Sequence, residues 1–428
     1  MRFLHVMAGL GSTRFRANLS ALALAQIAIR ISRVGTVLVL TQNLSPKDFG
    51  SAAIVMTIYE LVALFTRNGI AAKVVQADVH EVASIAQTAY WLTWIVCLGL
   101  LLAQAAISIP LAWAFHDMNL ALPIASMGLI YLATPLCNIQ CALMQREGRV
   151  ARIALAGGVQ VVTDNLLCAI FAVCGMGLWA IVLPKLLVAP IWVLFTRYGH
   201  SWRSRGGLSL AGWRPIASFS RYILGVELVT TLQANVDTLL VGYFLGPELL
   251  GLYYFAFNAG LGITLGIITS FSSAVFPQLC AARANRKQLS DCFRLCQRSL
   301  AVAVVPLVLL QSMLAPLYVP LLFGETWRPA VPVLVIICLS ALSRPFASAT
   351  SQLLRAVGQP EIDLVWQAAM TVTMVAAMLI GVQFGITGVA AAVMMTQLIG
   401  GGIFSWRAPL PFISARPLAK CQKQDVRL

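Results

Sequence analysis

The sequence predicts an all-α polytopic membrane protein of about 12 transmembrane helices, arranged as two parallel six-helix lobes. Three observations predict it. Hydrophobic residues make up 59% of the 428 positions. Charged residues make up only 11%, where a soluble globular chain carries roughly 25%. Apolar runs close to the roughly 20 residues that span a bilayer recur along the whole chain.

In order, the runs cover 20–43, 48–66, 84–108, 119–144, 153–173, 177–197, 217–244, 250–275, 299–323, 329–356, 362–384 and 386–406. The opening MRFLHVMAGLGSTRFRANLS is basic, but Gly9, Gly11 and Arg14 interrupt its short apolar stretch. It reads as a cytoplasmic or interfacial segment (1–18) rather than a cleaved leader. The N-lobe then takes 19–197 with helices 1–6, a basic cytoplasmic linker takes 198–216, and the C-lobe takes 217–407 with helices 7–12. A basic cytoplasmic tail fills 408–428.

The net charge of +15 invites a polyanion partner, but its distribution argues otherwise. With the N-terminus inside, Lys47 and Arg328 fall on outer loops, and Arg30, Arg33, Lys185 and Arg344 fall within spans. The other lysines and arginines lie on the inner loops and tail. Such asymmetry sets orientation, with both termini cytoplasmic, and needs no nucleic acid. The basic loops suit anionic lipid headgroups. The ten cysteines offer Cys137 with Cys141 and Cys292 with Cys296, neither with a second pair or a nearby histidine, so no metal site is expected.

An internal repeat is legible. LSPKDFG (Leu44–Gly50) between helices 1 and 2 matches LGPELLG (Leu245–Gly251) between helices 7 and 8. Pro135, Leu143 and Gly148 in and after helix 4 match Pro345, Leu353 and Gly358 in and after helix 10. A duplicated unit with an even number of helices enters the membrane twice from the same side, which makes the repeats parallel. Substrate then sits between the halves near the midplane.

Ionisable side chains within spans are costly and mark transport routes. Helix 1 sets Gln26, Arg30 and Arg33 on one face, and two guanidiniums at that spacing can grip the adjacent phosphates of a diphosphate. Arg344, before Pro345, Lys185 on helix 6 and Asn235 on helix 7 complete the candidate substrate-binding set. Glu60, Asp164, Glu227 and Asp237 are candidates for ion coupling or for structural pairing with those cations. No aspartate is one residue from another and no phosphate-cradling glycine loop with its lysine occurs, so an enzyme is not expected.

Arg33 to Gln76, with LSPKDFG at its centre and NGIAAKVVQ after helix 2, resembles the first hairpin of bacterial polysaccharide flippases. These belong to the multidrug/oligosaccharidyl-lipid/polysaccharide (MOP) superfamily, and the Wzx/WzxC-like branch is the nearest in pattern. NVDTLLVGYFLGPELLGLY (Asn235–Tyr253), FPQL (Phe276–Leu279), LFGETWRPAVPVL (Leu322–Leu334) and GQPEIDL (Gly358–Leu364) carry the resemblance through the second lobe. Arg33 stands where that family commonly has an arginine before the loop proline, here Pro46. Gln42 stands where it often has another basic residue.

The resemblance implies a flippase that moves undecaprenyl-diphosphate-linked oligosaccharide repeat units across the bacterial inner membrane by alternating access. The product would be exopolysaccharide, capsule or O-antigen. No cofactor is implied, and a proton or sodium gradient or the membrane potential would drive the cycle. A polysaccharide polymerase and export machinery are the implied partners. The alternative is a multidrug extruder of the same fold, exchanging organic cations for protons or sodium, in which the acids bind and the arginines are counter-ions.

Overall fold

The computed structural model describes residues 13–67, 70–77, 80–204, 207, 213–283 and 285–413. Parts of the predicted N-terminal segment, linker and tail (1–12, 205–206, 208–212, 414–428) lie outside the described residues.

Helix α1 runs Thr13–Asn43, and α2 runs Pro46–Ala63, prolonged by a 3-10 turn (Leu64–Arg67) and a short helix (Ile70–Gln76). Next come α3 (Val82–Ala114), α4 in two segments (Ala121–Met127 and Ile130–Arg146), α5 (Val150–Val173) and α6 (Trp179–Gly199). A helical stretch Trp213–Ala282 is interrupted at Gly246 (φ 82°, ψ 171°), which separates α7 (213–245) from α8 (247–282). Then follow α9 (Arg286–Phe323), α10 in two segments (Val331–Ser340 and Arg344–Ala356), α11 (Pro360–Gly381) and α12 (Gly385–Arg407). Among the described residues there is no strand.

Nine segments among the described residues are long and apolar enough to cross a membrane, against the twelve runs read from hydropathy. The difference lies in how segments join. Glu227–Leu261 and Pro360–Arg407 each count once although each carries two runs, and α1 is not among the nine. Exposed Leu102, Trp113, Leu317 and Leu321 show the apolar exterior of such helices, which satisfy their own backbone groups where no water can.

Local sequence explains the turns. Ser45 Oγ accepts from Asp48 N at 3.2 Å while Asp48 accepts from Ser45 N at 3.3 Å. This capping box, with Pro46 opening the first turn, starts α2. Asn285 Oδ1 likewise caps α9 by accepting from Lys287 N and Gln288 N.

The repeat is visible in the backbone. Gly148 and Gly358 take φ of 72° and 80°, and Gly175 and Gly385 take 73° and 74°. Helices α4 and α10 are each broken as well, at places about one turn apart in that register. At Gly128 and at Ala341 the amide turns to the carbonyl three residues back, Ala125 O and Cys338 O. That frees Ile124 O in one repeat and Ile337 O in the other from their usual helical donors. Buried Gln104 Nε2 donates to Ile124 O at 2.7 Å, and Ser340 Oγ donates to Ile337 O at 2.6 Å. Each break is thus satisfied by a side chain rather than left as a bare carbonyl in an apolar setting.

The chain divides into two compact units, Met1–Gly251 and Leu252–Leu428. In the first, α1 packs on α5, α5 on α6, α3 on α4, and α4 on α6. In the second, α11 packs on α12, α10 on α12, and α9 on α10. The second has a core of Leu279, Phe293, Leu300 and Leu353.

Candidate functional site

Two polar layers form within the first unit. The first ties α1, α5 and α6 together. Thr36 Oγ1 donates to Asn165 O at 2.9 Å, and Asn165 Nδ2 donates to Ser32 Oγ at 2.9 Å. Beside Asn165, buried Asp164 (7% exposed) accepts from Lys185 Nζ through Oδ2. Its Oδ1 is buried with no hydrogen-bond partner among the described residues.

Arg33 adjoins Ser32, which places it at the depth of this layer. Arg30 lies one turn along the same helix, about 4.5 Å away along the axis at 1.5 Å per residue. Both arginines are exposed, and among the described residues no carboxylate forms an ion pair with either. The Gln26 side chain lies outside the described residues.

The second layer joins α2 to α7. Asn235 Nδ2 donates to Glu60 Oε2 at 3.3 Å and to Thr231 O at 3.0 Å, and Thr57 Oγ1 donates to Asn235 Oδ1 at 3.5 Å. Glu60 is exposed and Thr57 is buried. Asp237, two residues past Asn235 and so on a different face of α7, is buried and accepts from Thr238 N at 2.8 Å. Glu227 is half-buried further back along α7.

Toward the ends of α2 and α8 the two repeat motifs meet backbone to backbone. A Cβ on Gly50 would collide with the Pro247 carbonyl and stand 2.7 Å from Gly251 N. A Cβ on Gly251 would collide with the Pro46 carbonyl and stand 3.1 Å from Gly50 N. The contact is reciprocal, so glycine is required at both equivalent positions for one steric reason.

In the second unit Arg344 is half-buried and opens the second segment of α10. The better-formed polar cluster there is one that sequence reasoning missed. Asp363 on α11 is 4% exposed. Its Oδ1 accepts from Ser351 Oγ at 2.7 Å and Gln367 Nε2 at 3.5 Å, and its Oδ2 accepts from Arg355 at 3.4 Å. Spacing gave a partial signal, since Ser351 and Arg355 share a face of α10 and Asp363 and Gln367 a face of α11.

Of the residues singled out from sequence, the fold brings together Lys185 with Asp164 and Glu60 with Asn235. Arg30 and Arg33 stay side by side on α1. Asn165, Ser32, Thr36 and Thr57, which complete the two layers, were not foreseen. Among the described residues no cluster of histidine, cysteine and acidic side chains could hold a metal ion.

Residues 39–332 match the family described as polysaccharide biosynthesis protein. The chain belongs to that family. Among the relatives of this polysaccharide biosynthesis protein, the lipopolysaccharide biosynthesis protein WzxC of Escherichia coli (strain K12) is 24% identical over 371 residues. That match covers 84% of this chain and 74% of WzxC. The succinoglycan biosynthesis transport protein ExoT of Rhizobium meliloti (strain 1021) is 23% identical over 332 residues, 77% of this chain and 67% of ExoT. Among solved structures, the lipid II flippase MurJ in an inward closed conformation superposes with a TM-score of 0.75. It does so at 13% identity, over 90% of this chain and 86% of MurJ. This polysaccharide biosynthesis protein therefore shares its fold with MurJ, and with nine segments among its described residues able to cross a membrane it is a multi-pass membrane protein.

Proposed function

We propose that the chain is a flippase that carries an undecaprenyl-diphosphate-linked oligosaccharide repeat unit across the bacterial inner membrane by alternating access, with both termini cytoplasmic. The exported units would feed assembly of a surface polysaccharide by a polymerase and export machinery. One observation carries the reading beyond family membership. Arg30 and Arg33 stand exposed, side by side and without a carboxylate partner among the described residues, on a helix that packs on α5. Guanidiniums left unneutralised at membrane depth are costly unless an anion meets them. A diphosphate offers paired oxygens for two forks.

The headgroup's own charge supplies a driving force. A diphosphate with about two negative charges is pushed outward by about 2.3 kcal/mol per charge per 100 mV when the cell interior is negative. Ion entry through Glu60 or Glu227 would add to this. The extruder of organic cations requires the opposite arrangement, acids facing the cargo and arginines neutralised by them, and Arg30 and Arg33 do not fit it.

The test is complementation of defined flippase-deficient strains, with measurement of the lipid-linked intermediate that accumulates inside. The wild-type chain restores surface polysaccharide and clears the intermediate. Arg30→Ala and Arg33→Ala, each present at normal level in the membrane, lower export at least tenfold. Wild-type export from both variants overturns the phosphate-gripping role.

A further inference from the structure

The Asp164–Lys185 pair is built unlike a structural ion pair. Asp164 is nearly enclosed and has one charged partner, and its second oxygen is buried without any partner among the described residues. Lys185 is open on one side, with 35% of its side chain exposed. The polar groups of α1 beside it bond to the neighbouring Asn165 rather than to the carboxylate. From α1, Thr36 gives its hydrogen to carbonyls and Ser32 accepts from Asn165. From α5 itself comes the Cys168 thiol, one turn on, in electrostatic reach of both members of the pair. On α1, Arg30 and Arg33 are exposed.

A lysine held by one carboxylate oxygen is open to exchange. A phosphate headgroup offers more oxygens and more charge than Asp164 does, and the open side of Lys185 lets it approach. When the ammonium turns to phosphate, nearly enclosed Asp164 loses its single charged partner, and a buried carboxylate left without one is costly.

We propose that phosphate capture at Lys185 is linked to uptake of one proton by Asp164. Before capture, the Lys185 ammonium pairs with the Asp164 carboxylate. After capture, the same ammonium pairs with a phosphate oxygen and Asp164 is a neutral carboxylic acid, its proton supplied by the buffered solution through the open side. No heavy-atom bond forms or breaks, and the reverse exchange returns the proton on release. The inference rests on the reading that the cargo bears phosphate, and it makes Lys185 a cargo contact and Asp164 the group that senses occupancy.

The experiment uses the full chain in lipid nanodiscs and inorganic pyrophosphate as the probe. Binding heats at one pH, in buffers of different ionisation enthalpy, give the number of protons taken up per pyrophosphate bound. The wild type takes up about one proton more than Asp164→Asn, because pyrophosphate's own proton exchange is common to both. Asp164→Asn binds pyrophosphate several-fold more tightly, since the competing carboxylate is gone. Lys185→Met binds at least tenfold more weakly, and Lys185→Arg restores both affinity and the extra proton.

Equal proton uptake by wild type and Asp164→Asn overturns the linkage while leaving the flippase reading intact. Absence of pyrophosphate binding by the wild type overturns phosphate capture itself. Undecaprenyl diphosphate in the same discs displaces pyrophosphate if the ligand is a lipid-borne headgroup. Failure to displace it overturns that source and leaves free phosphate. A shared thermal unfolding temperature for wild type and Asp164→Asn excludes a folding defect as the cause of a difference.

Discussion

Two aspartates lie equally deep in this protein and are treated in opposite ways. Asp363, in the second unit, has both oxygens engaged by Ser351, Gln367 and Arg355 from its own helix and its neighbour. Asp164, in the first unit, has a lysine on one oxygen and nothing on the other among the described residues. A buried carboxylate surrounded by donors is a fastener, because every competing arrangement loses bonds. One held by a single exchangeable cation can be switched, because one event removes most of what keeps it charged. Depth alone therefore does not separate structural from functional charge; the number and replaceability of partners does.

The comparison can be broken first at Lys185. Lys185→Met leaves Asp164 buried without its cation and is expected to cost about 3 kcal/mol of stability, the low end of the penalty for breaking a buried pair because Lys185 is partly exposed. Thermal unfolding in detergent measures it, and an unchanged transition would show that Asp164 does not depend on the lysine. Asp363→Ala comes next, at about 1–3 kcal/mol, because Ser351 loses its acceptor while half-exposed Arg355 can turn to water. Limited proteolysis across the α10–α11 turn reads the same loosening locally.

The double variant Asp164→Leu with Lys185→Met is expected to lie within about 1 kcal/mol of wild type, since an apolar pair often replaces a buried ion pair without loss. It should still fail in export, and that division between stability and transport sharpens the contrast most. The smallest effect belongs to the Arg328–Glu325 pair, where both side chains are 72% exposed. Glu325→Gln there should shift stability by less than about 1 kcal/mol.

Much of the fold was legible in the chain. Hydropathy located the helices because a spanning segment must be apolar over its whole length. Gly148 and Gly358 marked chain reversals because their backbone turns into a region that side chains disfavour. The site was legible only in part. Arg30 and Arg33 could be paired on paper because they share one helix. Asp164 and Lys185 could be named but not joined, since they lie on different helices across a turn. Asp363 was read as part of the GQPEIDL turn, and nothing in that motif announces that α10 presents Ser351 and Arg355 to it.

The sequence by itself determined that this is a helical membrane protein, that its turn motifs recur, and where its apolar runs lie. These properties follow from local rules: the length of apolar runs, the period of a helix, and the backbone freedom of glycine. Tertiary structure decided which charges are neutralised, which oxygen goes without a donor, and why Gly50 and Gly251 must both lack a side chain. Those outcomes depend on which helices meet and at what depth. Electrostatic and steric interactions act over a few ångströms between residues that the chain places far apart.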